Sequence, residues 1–125
     1  MPRSISRSKR RGKYNAHRQE LDGITFDSKA EAQRYKALIP LSKSGAIADL
    51  QCHPKYKLHV NGIKIGTYSP DFTYVIDGEL IVEDVKGRAT LTPLYRWKKK
   101  HMKAEHQIDV IEMYYNYKND SFYSK

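Results

Sequence analysis

The spacing of apolar residues changes several times along this chain, and each change marks an element. Gln19 to Phe26 reads as a short hairpin turning at Asp22-Gly23. A helical period follows, with Ser28 as cap, Ala32, Tyr35, Leu38 and Ile39 as its buried stripe, an end near Ser42 and Gly45 as the stop. Ile47 to Val60 is extended and interrupted by Pro54. Asn61-Gly62 is a second hairpin turn leading into Ile63 to Tyr68. A third hairpin spans Ser69 to Gly87, with arms rich in β-branched and aromatic residues around Asp77-Gly78, and these strands are expected to form a meander. Thr92-Pro93 opens a second helix running to about His106, in which Leu94, Trp97 and Ala104 are expected in the core. Ile108 to Tyr114 reads as a buried strand, and the polar, aromatic last ten residues are left without an assignment. This order predicts an α/β (α+β) domain, a central mixed sheet flanked by helices.

The third hairpin carries the candidate chemistry. A two-residue turn at Asp77-Gly78 sets Ile76 against Glu79, Val75 against Leu80 and, counting back, Asp71 against Asp84. Opposed residues share a face with Cβ atoms about 4.5–5.5 Å apart, and Lys86, two residues on, shares that face. Two carboxylates so placed repel, and a divalent cation between them relieves the repulsion. Oxygen ligands suit Mg²⁺, which activates water and polarises phosphate. Lys86 either helps in that chemistry or snorkels as an ordinary strand lysine. Glu83 alternates onto the opposite face, across from Phe72, and reads as a solvated or salt-bridged strand residue. Glu31 has two readings: it closes a capping box with Ser28, or it joins the acids from the buried side of its helix.

Pro70-Asp71, a hairpin and then Asp84-Val85-Lys86 resemble the signature of the PD-(D/E)xK nuclease superfamily, and within it small phage and prophage endonucleases of the Holliday-junction-resolvase type. The resemblance runs from about Gln19 to Tyr115. It implies a restriction-endonuclease-like core and metal-dependent DNA cleavage leaving 5′-phosphate and 3′-hydroxyl ends. By the same resemblance Asp71 and Asp84 bind metal with the Val85 carbonyl, Lys86 is catalytic, and Glu31 is a further acid. Mg²⁺ is the implied cofactor, with Mn²⁺ able to substitute. Paired cuts in branched DNA imply a homodimer.

Charge supports a polyanion as partner. Of the net charge of +9 over 125 residues, seven positive charges lie in residues 1–18, which hold no acid. That segment is expected to be a basic arm, disordered when free, ahead of a single nuclease domain over 19–125. Arg10, Arg11 and Lys13 in the arm, Arg88 after the hairpin, and Arg96, Lys99, Lys100 and Lys103 on the second helix are candidate DNA phosphate contacts. The helix cations also fit a simply solvated face, where positive charge suits the C-terminal end. One cysteine, Cys52, fits a reducing cytoplasm, and a host cytoplasm if the chain is phage-encoded. No apolar run is long enough for a membrane span. No phosphate-binding glycine loop appears, so no nucleotide cofactor is expected. The histidines lack zinc-site spacing, and Cys52-His53 reads as structural. The rivals are a non-catalytic basic nucleic-acid-binding module, a nicking or repair nuclease, and a nuclease subunit that needs a partner.

Overall fold

The computed structural model describes residues 18–87 and 90–125. Arg10, Arg11, Lys13 and Arg88, with nearly all of the proposed arm, lie outside the described residues. In chain order the elements are β1 (Gln19–Leu21), β2 (Ile24–Phe26), α1 (Lys29–Ser44), β3 (Ala48–Cys52), β4 (Tyr56–Val60), β5 (Ile63–Tyr68), β6 (Phe72–Ile76), β7 (Glu79–Lys86), α2 (Pro93–His106), β8 (Ile111–Asn116) and β9 (Ser121–Ser124). A five-stranded sheet has the order β3-β6-β7-β8-β9. Only β7 and β8 are parallel in it, and α2 makes the crossover between them. This is a mixed α+β fold.

Side-chain alternation on β7 divides the core in two. Ile81 and Val85 join Phe72, Tyr74 and the α1 residues Ala32, Tyr35 and Leu38 on one face. Val82 joins Leu58, Tyr68, Tyr95, Met102 and Val110 on the other, under α2 and the β4–β5 hairpin. The sheet is thus covered on both sides, and the neighbouring acids Glu83 and Asp84 of β7 are both buried although they point opposite ways.

The helix ends follow their capping residues. Ser28 accepts a hydrogen bond from the Glu31 N–H at 3.1 Å, and Gly45, at φ 85°, closes α1. Pro40 sits within α1 and forfeits one backbone rung, yet the helix continues to Ser44. Thr92 caps α2 through the Tyr95 N–H at 3.1 Å, with Pro93 in its first turn.

Three expectations need correction. The strands do not form a meander: β6 pairs with β3, with Cys52 against Phe72, and the intervening β4 and β5 form their own two-stranded sheet. The preference of neighbouring strands to pair is overridden here because β3 closes onto β6, while Leu58 and Tyr68 bury against α2. In α2 the buried residues are Tyr95 and Met102; Leu94, Trp97 and Ala104 are exposed. The stripe is one residue wide, because seven residues make almost two turns and only that line meets the sheet. The last strand begins at Ile111, later than Ile108, and the unassigned tail holds β9, paired to β8. No helix among the described residues is long and apolar enough to cross a membrane.

Candidate metal centre

The hairpin register is the one its turn dictates. Asp77 (φ 49°) and Gly78 (φ 80°) are both left-handed, as a type I′ turn requires. Ile76 pairs with Glu79 and Phe72 with Glu83, so Asp71 and Asp84 meet at the next step. The two are cross-linked there. Asp84 Oδ1 accepts from the Asp71 N–H at 3.2 Å, and Asp71 Oδ2 accepts from the Val85 N–H at 2.7 Å. The Tyr68 hydroxyl donates to Asp84 Oδ2 at 2.6 Å. The donors in these three bonds, two backbone N–H groups and a phenol, are all neutral.

Glu31 and His53 complete the cluster. Glu31 stands in the first turn of α1, where the helix dipole favours an acid. Only its backbone serves the cap; its Oε1 lies 3.3 Å from His53 Nε2. Of the capping box, the Glu31 N–H to Ser28 half is made, while the Glu31 side chain turns to His53. His53 follows β3 in the left-handed region (φ 55°), and its N–H donates to the Asp71 carbonyl at 3.0 Å. One ligand atom each from Glu31, His53 and Asp71 lie within 4.8 Å of one another. Asp84 stands beside this trio, joined to it through Asp71.

The electrostatics are those of crowded acids. Burial, then the charges of Asp84 and Glu31, push the Asp71 carboxyl well above its ordinary range, against the opposing Val85 N–H bond. Burial also raises Glu31, partly offset by His53. The Cys52 thiol is pushed up to about 11 by burial and by Asp71 and Glu31, which keeps it from acting as a thiolate. Two carboxylates, Glu31 and Asp71, and the His53 imidazole could together hold a divalent cation; Asp84 lies outside that group, with both of its oxygens accepting hydrogen bonds. His53, with 34% of its side chain exposed, leaves the cluster accessible from solvent.

Lys86 flanks the centre. Its Nζ is 3.5 Å from Asp84 Oδ2 and 3.4 Å from the Thr90 carbonyl, and it lies 3.6 Å over the Tyr95 ring. That cradle fixes the ammonium beside the acids. Tyr95 continues the line outward: its hydroxyl donates to Glu112 at 3.0 Å, as does Lys99 at 3.0 Å. Beyond Glu112 opens a groove of about 370 Å³ lined in part by Arg96, Lys99, Lys100 and Lys103. The basic helix residues are brought together, but Lys99 is paired with Glu112 and Lys103 with Asp109 (2.9 Å). Their positive charge toward a ligand is lower than the sequence count implies.

The chain matches, over residues 11–121, the family described as Protein of unknown function (DUF1064). The chain belongs to the DUF1064 family. No curated protein and no solved structure matches it. In this DUF1064 chain the matched segment contains the whole cluster, from Glu31 to Lys86, and the α2 groove. Glu83 lies outside the centre, bound to Arg34 on the opposite face. His53, read from the sequence as structural, is placed by the fold against Glu31 and Asp71. Its available signal was position: a residue type tolerated at positive φ, between a strand and Pro54 and before the acids.

Proposed function

We propose that this DUF1064 chain is a divalent-metal-dependent DNA endonuclease with a restriction-endonuclease-like core. The observation that carries the reading is the cross-linked pair Asp71 and Asp84 at the end of the sheet, with Glu31 and Lys86 against it. The donor set fits a metal by its chemistry: converging carboxylates on rigid strands, one of them strongly disfavoured as a bare anion. Asp71, Asp84 and Glu31 would hold Mg²⁺, or Mn²⁺ in its place, and the Val85 carbonyl offers another oxygen. Bound there, the ion supplies Lewis-acid polarisation of a phosphate and activation of water.

The protein's own groups do the remaining work. The Tyr68 hydroxyl and the Asp71 N–H hold the Asp84 carboxylate in one orientation. Lys86, seated on Tyr95 and the Thr90 carbonyl and 3.5 Å from Asp84 Oδ2, would supply positive charge to stabilise a phosphate and orient water beside the acids. Arg96, Lys99, Lys100 and Lys103 receive flanking phosphates, with Arg10, Arg11, Lys13 and Arg88 as further contacts. Direct base-reading groups are few in this set, so the substrate is chosen by structure, with branched DNA cut by a homodimer. A phage origin and a cytoplasmic site of action go with this reading.

The test is cleavage of a labelled four-way junction and its matching linear duplex, with Mg²⁺, with EDTA, and with Asp84→Asn. Junction cutting that needs the metal and is lost in the variant supports the reading. Equal cutting of both substrates removes the structural preference and keeps the nuclease. Binding without cutting in Mg²⁺ and Mn²⁺ favours the non-catalytic module, unless a partner subunit restores activity.

A further inference from the structure

His53 is the one member of the cluster for which the carboxylate-only reading has no use. Its geometry is costly and specific. The left-handed backbone at φ 55° is rare for residues with a side chain, though His, Asn and Asp are enriched there. The bond from its N–H to the Asp71 carbonyl, 3.0 Å, ties it to the residue at the heart of the site. The Phe26 ring packs 5.7 Å from the imidazole, centroid to centroid, and restricts its rotation. Nε2 is thereby aimed at Glu31 Oε1, 3.3 Å away, with an Asp71 carboxylate oxygen in the same 4.8 Å group. Donors in an octahedral shell about 2.1 Å from one ion lie about 3–4.2 Å apart, so closing onto an ion needs only a small contraction.

We propose that His53 Nε2 ligates the same divalent ion as Glu31 and Asp71, and that this nitrogen makes the centre favour Mn²⁺ over Mg²⁺. The inference rests on the metal-dependent reading for its ion, but not on DNA being the substrate. Mg²⁺ takes oxygen ligands and keeps its waters. Imidazole suits first-row transition ions, and Mn²⁺ accepts both imidazole and carboxylate. A centre of one imidazole and two or more carboxylates therefore discriminates between two ions that an all-carboxylate centre exchanges freely.

The test uses the full chain without DNA. Mn²⁺ is titrated and followed by electron paramagnetic resonance, with Mg²⁺ as competitor, and pulsed measurements read ¹⁴N coupling from a directly bound imidazole. The expected result is one bound Mn²⁺ with that coupling, held about tenfold or more tighter than Mg²⁺. His53→Asn, chosen because Asn also tolerates the left-handed backbone, should lose the coupling and bring the two affinities near parity. Should that variant not fold, the coupling in the unmodified chain decides by itself. Mn²⁺ bound without ¹⁴N coupling overturns the proposal and makes His53 only the hydrogen-bond partner of Glu31. Equal affinity for Mn²⁺ and Mg²⁺ in the unmodified chain also overturns it. Binding of neither ion sinks both this proposal and the metal-dependent nuclease. Nitrogen-coupled Mn²⁺ in a protein that cuts no DNA keeps this proposal and discards the nuclease.

Discussion

Glu83 and Asp84 are consecutive residues of β7, both buried, and their surroundings differ in kind. Glu83 faces α1 and meets a full counter-charge: Arg34 grips both of its oxygens, at 2.6 and 2.9 Å, and the Tyr74 hydroxyl adds a third bond. Asp84 faces the other way and receives a tyrosine hydroxyl and a backbone N–H, with Lys86 at the longer distance of 3.5 Å and two more acids nearby. A bidentate guanidinium neutralises the charge of the carboxylate it grips. Neutral donors fix a carboxylate and leave its charge available. The two acids are therefore told apart by what they are paired with, since burial alone does not separate them.

The comparison breaks most severely at Arg34. Arg34→Met should lower stability by about 3–5 kcal/mol, because Glu83 is left charged and fully buried without its partner. Chemical denaturation measures this, and a loss under about 1 kcal/mol would mean that the pair is not the structural member. Asp84→Asn should do the reverse: near-normal unfolding, with metal-dependent cleavage down by about 10²–10³-fold, the scale of one lost transition-state contact. Single-turnover cleavage of the junction reads it.

Asp71 sharpens the contrast through pH. Its carboxyl is raised well above the ordinary 3.8, so without metal the native state holds a proton that the unfolded chain has lost. Stability of the metal-free protein should then fall as pH rises from about 4 through the native value, since the native state binds more protons over that window. Asp71→Asn should flatten this slope and stabilise the metal-free protein at pH 7 by about 1 kcal/mol or more. Melting curves from pH 4 to 8 in EDTA test it. Divalent ion should raise the melting temperature of the unmodified chain and do so much less in the variant. The smallest effects separate cap from ligand on α1. Ser28→Ala should cost about 1 kcal/mol, as lost N-caps do. Glu31→Gln should change stability by no more than about 0.5 kcal/mol, because its side chain takes no part in the cap. Equal losses in the two variants would restore the capping box.

What was legible in the sequence was local. The Asp77-Gly78 turn set the Asp71–Asp84 register because a type I′ loop has two residues and strands have a period of two. Ser28, Gly45 and Thr92 marked helix ends by the bonds that their side chains or backbones make. What was hidden was decided across long stretches of chain. Arg34 is 49 residues from Glu83, and nothing near either names the other. His53 is 22 residues from Glu31 and reaches it through a backbone conformation that no periodicity reports. Trp97 satisfies helical spacing, yet α2 meets the sheet along the line of Tyr95 and Met102 and leaves Trp97 44% exposed. The role of Lys99 was veiled in the same way, by Glu112 on a strand that α2 precedes.

The β4–β5 hairpin leaves the sheet at His53 and returns at Asp71, and its base is sewn shut by the Cys52–Phe72 pair and the His53–Asp71 bond. Its midsection is pinned to α2, where Glu105 accepts from the His59 N–H at 2.6 Å. Everything past those stitches is a closed excursion, turning at Asn61 and Gly62 with Ile63 68% exposed. Chain added at that turn enlarges a loop whose ends are already held, at about 0.6 kcal/mol for each doubling of loop length. The protein thus carries a built-in port for a tag or spectroscopic label, on the same covalent segment as the acids and outside the contacts that assemble them.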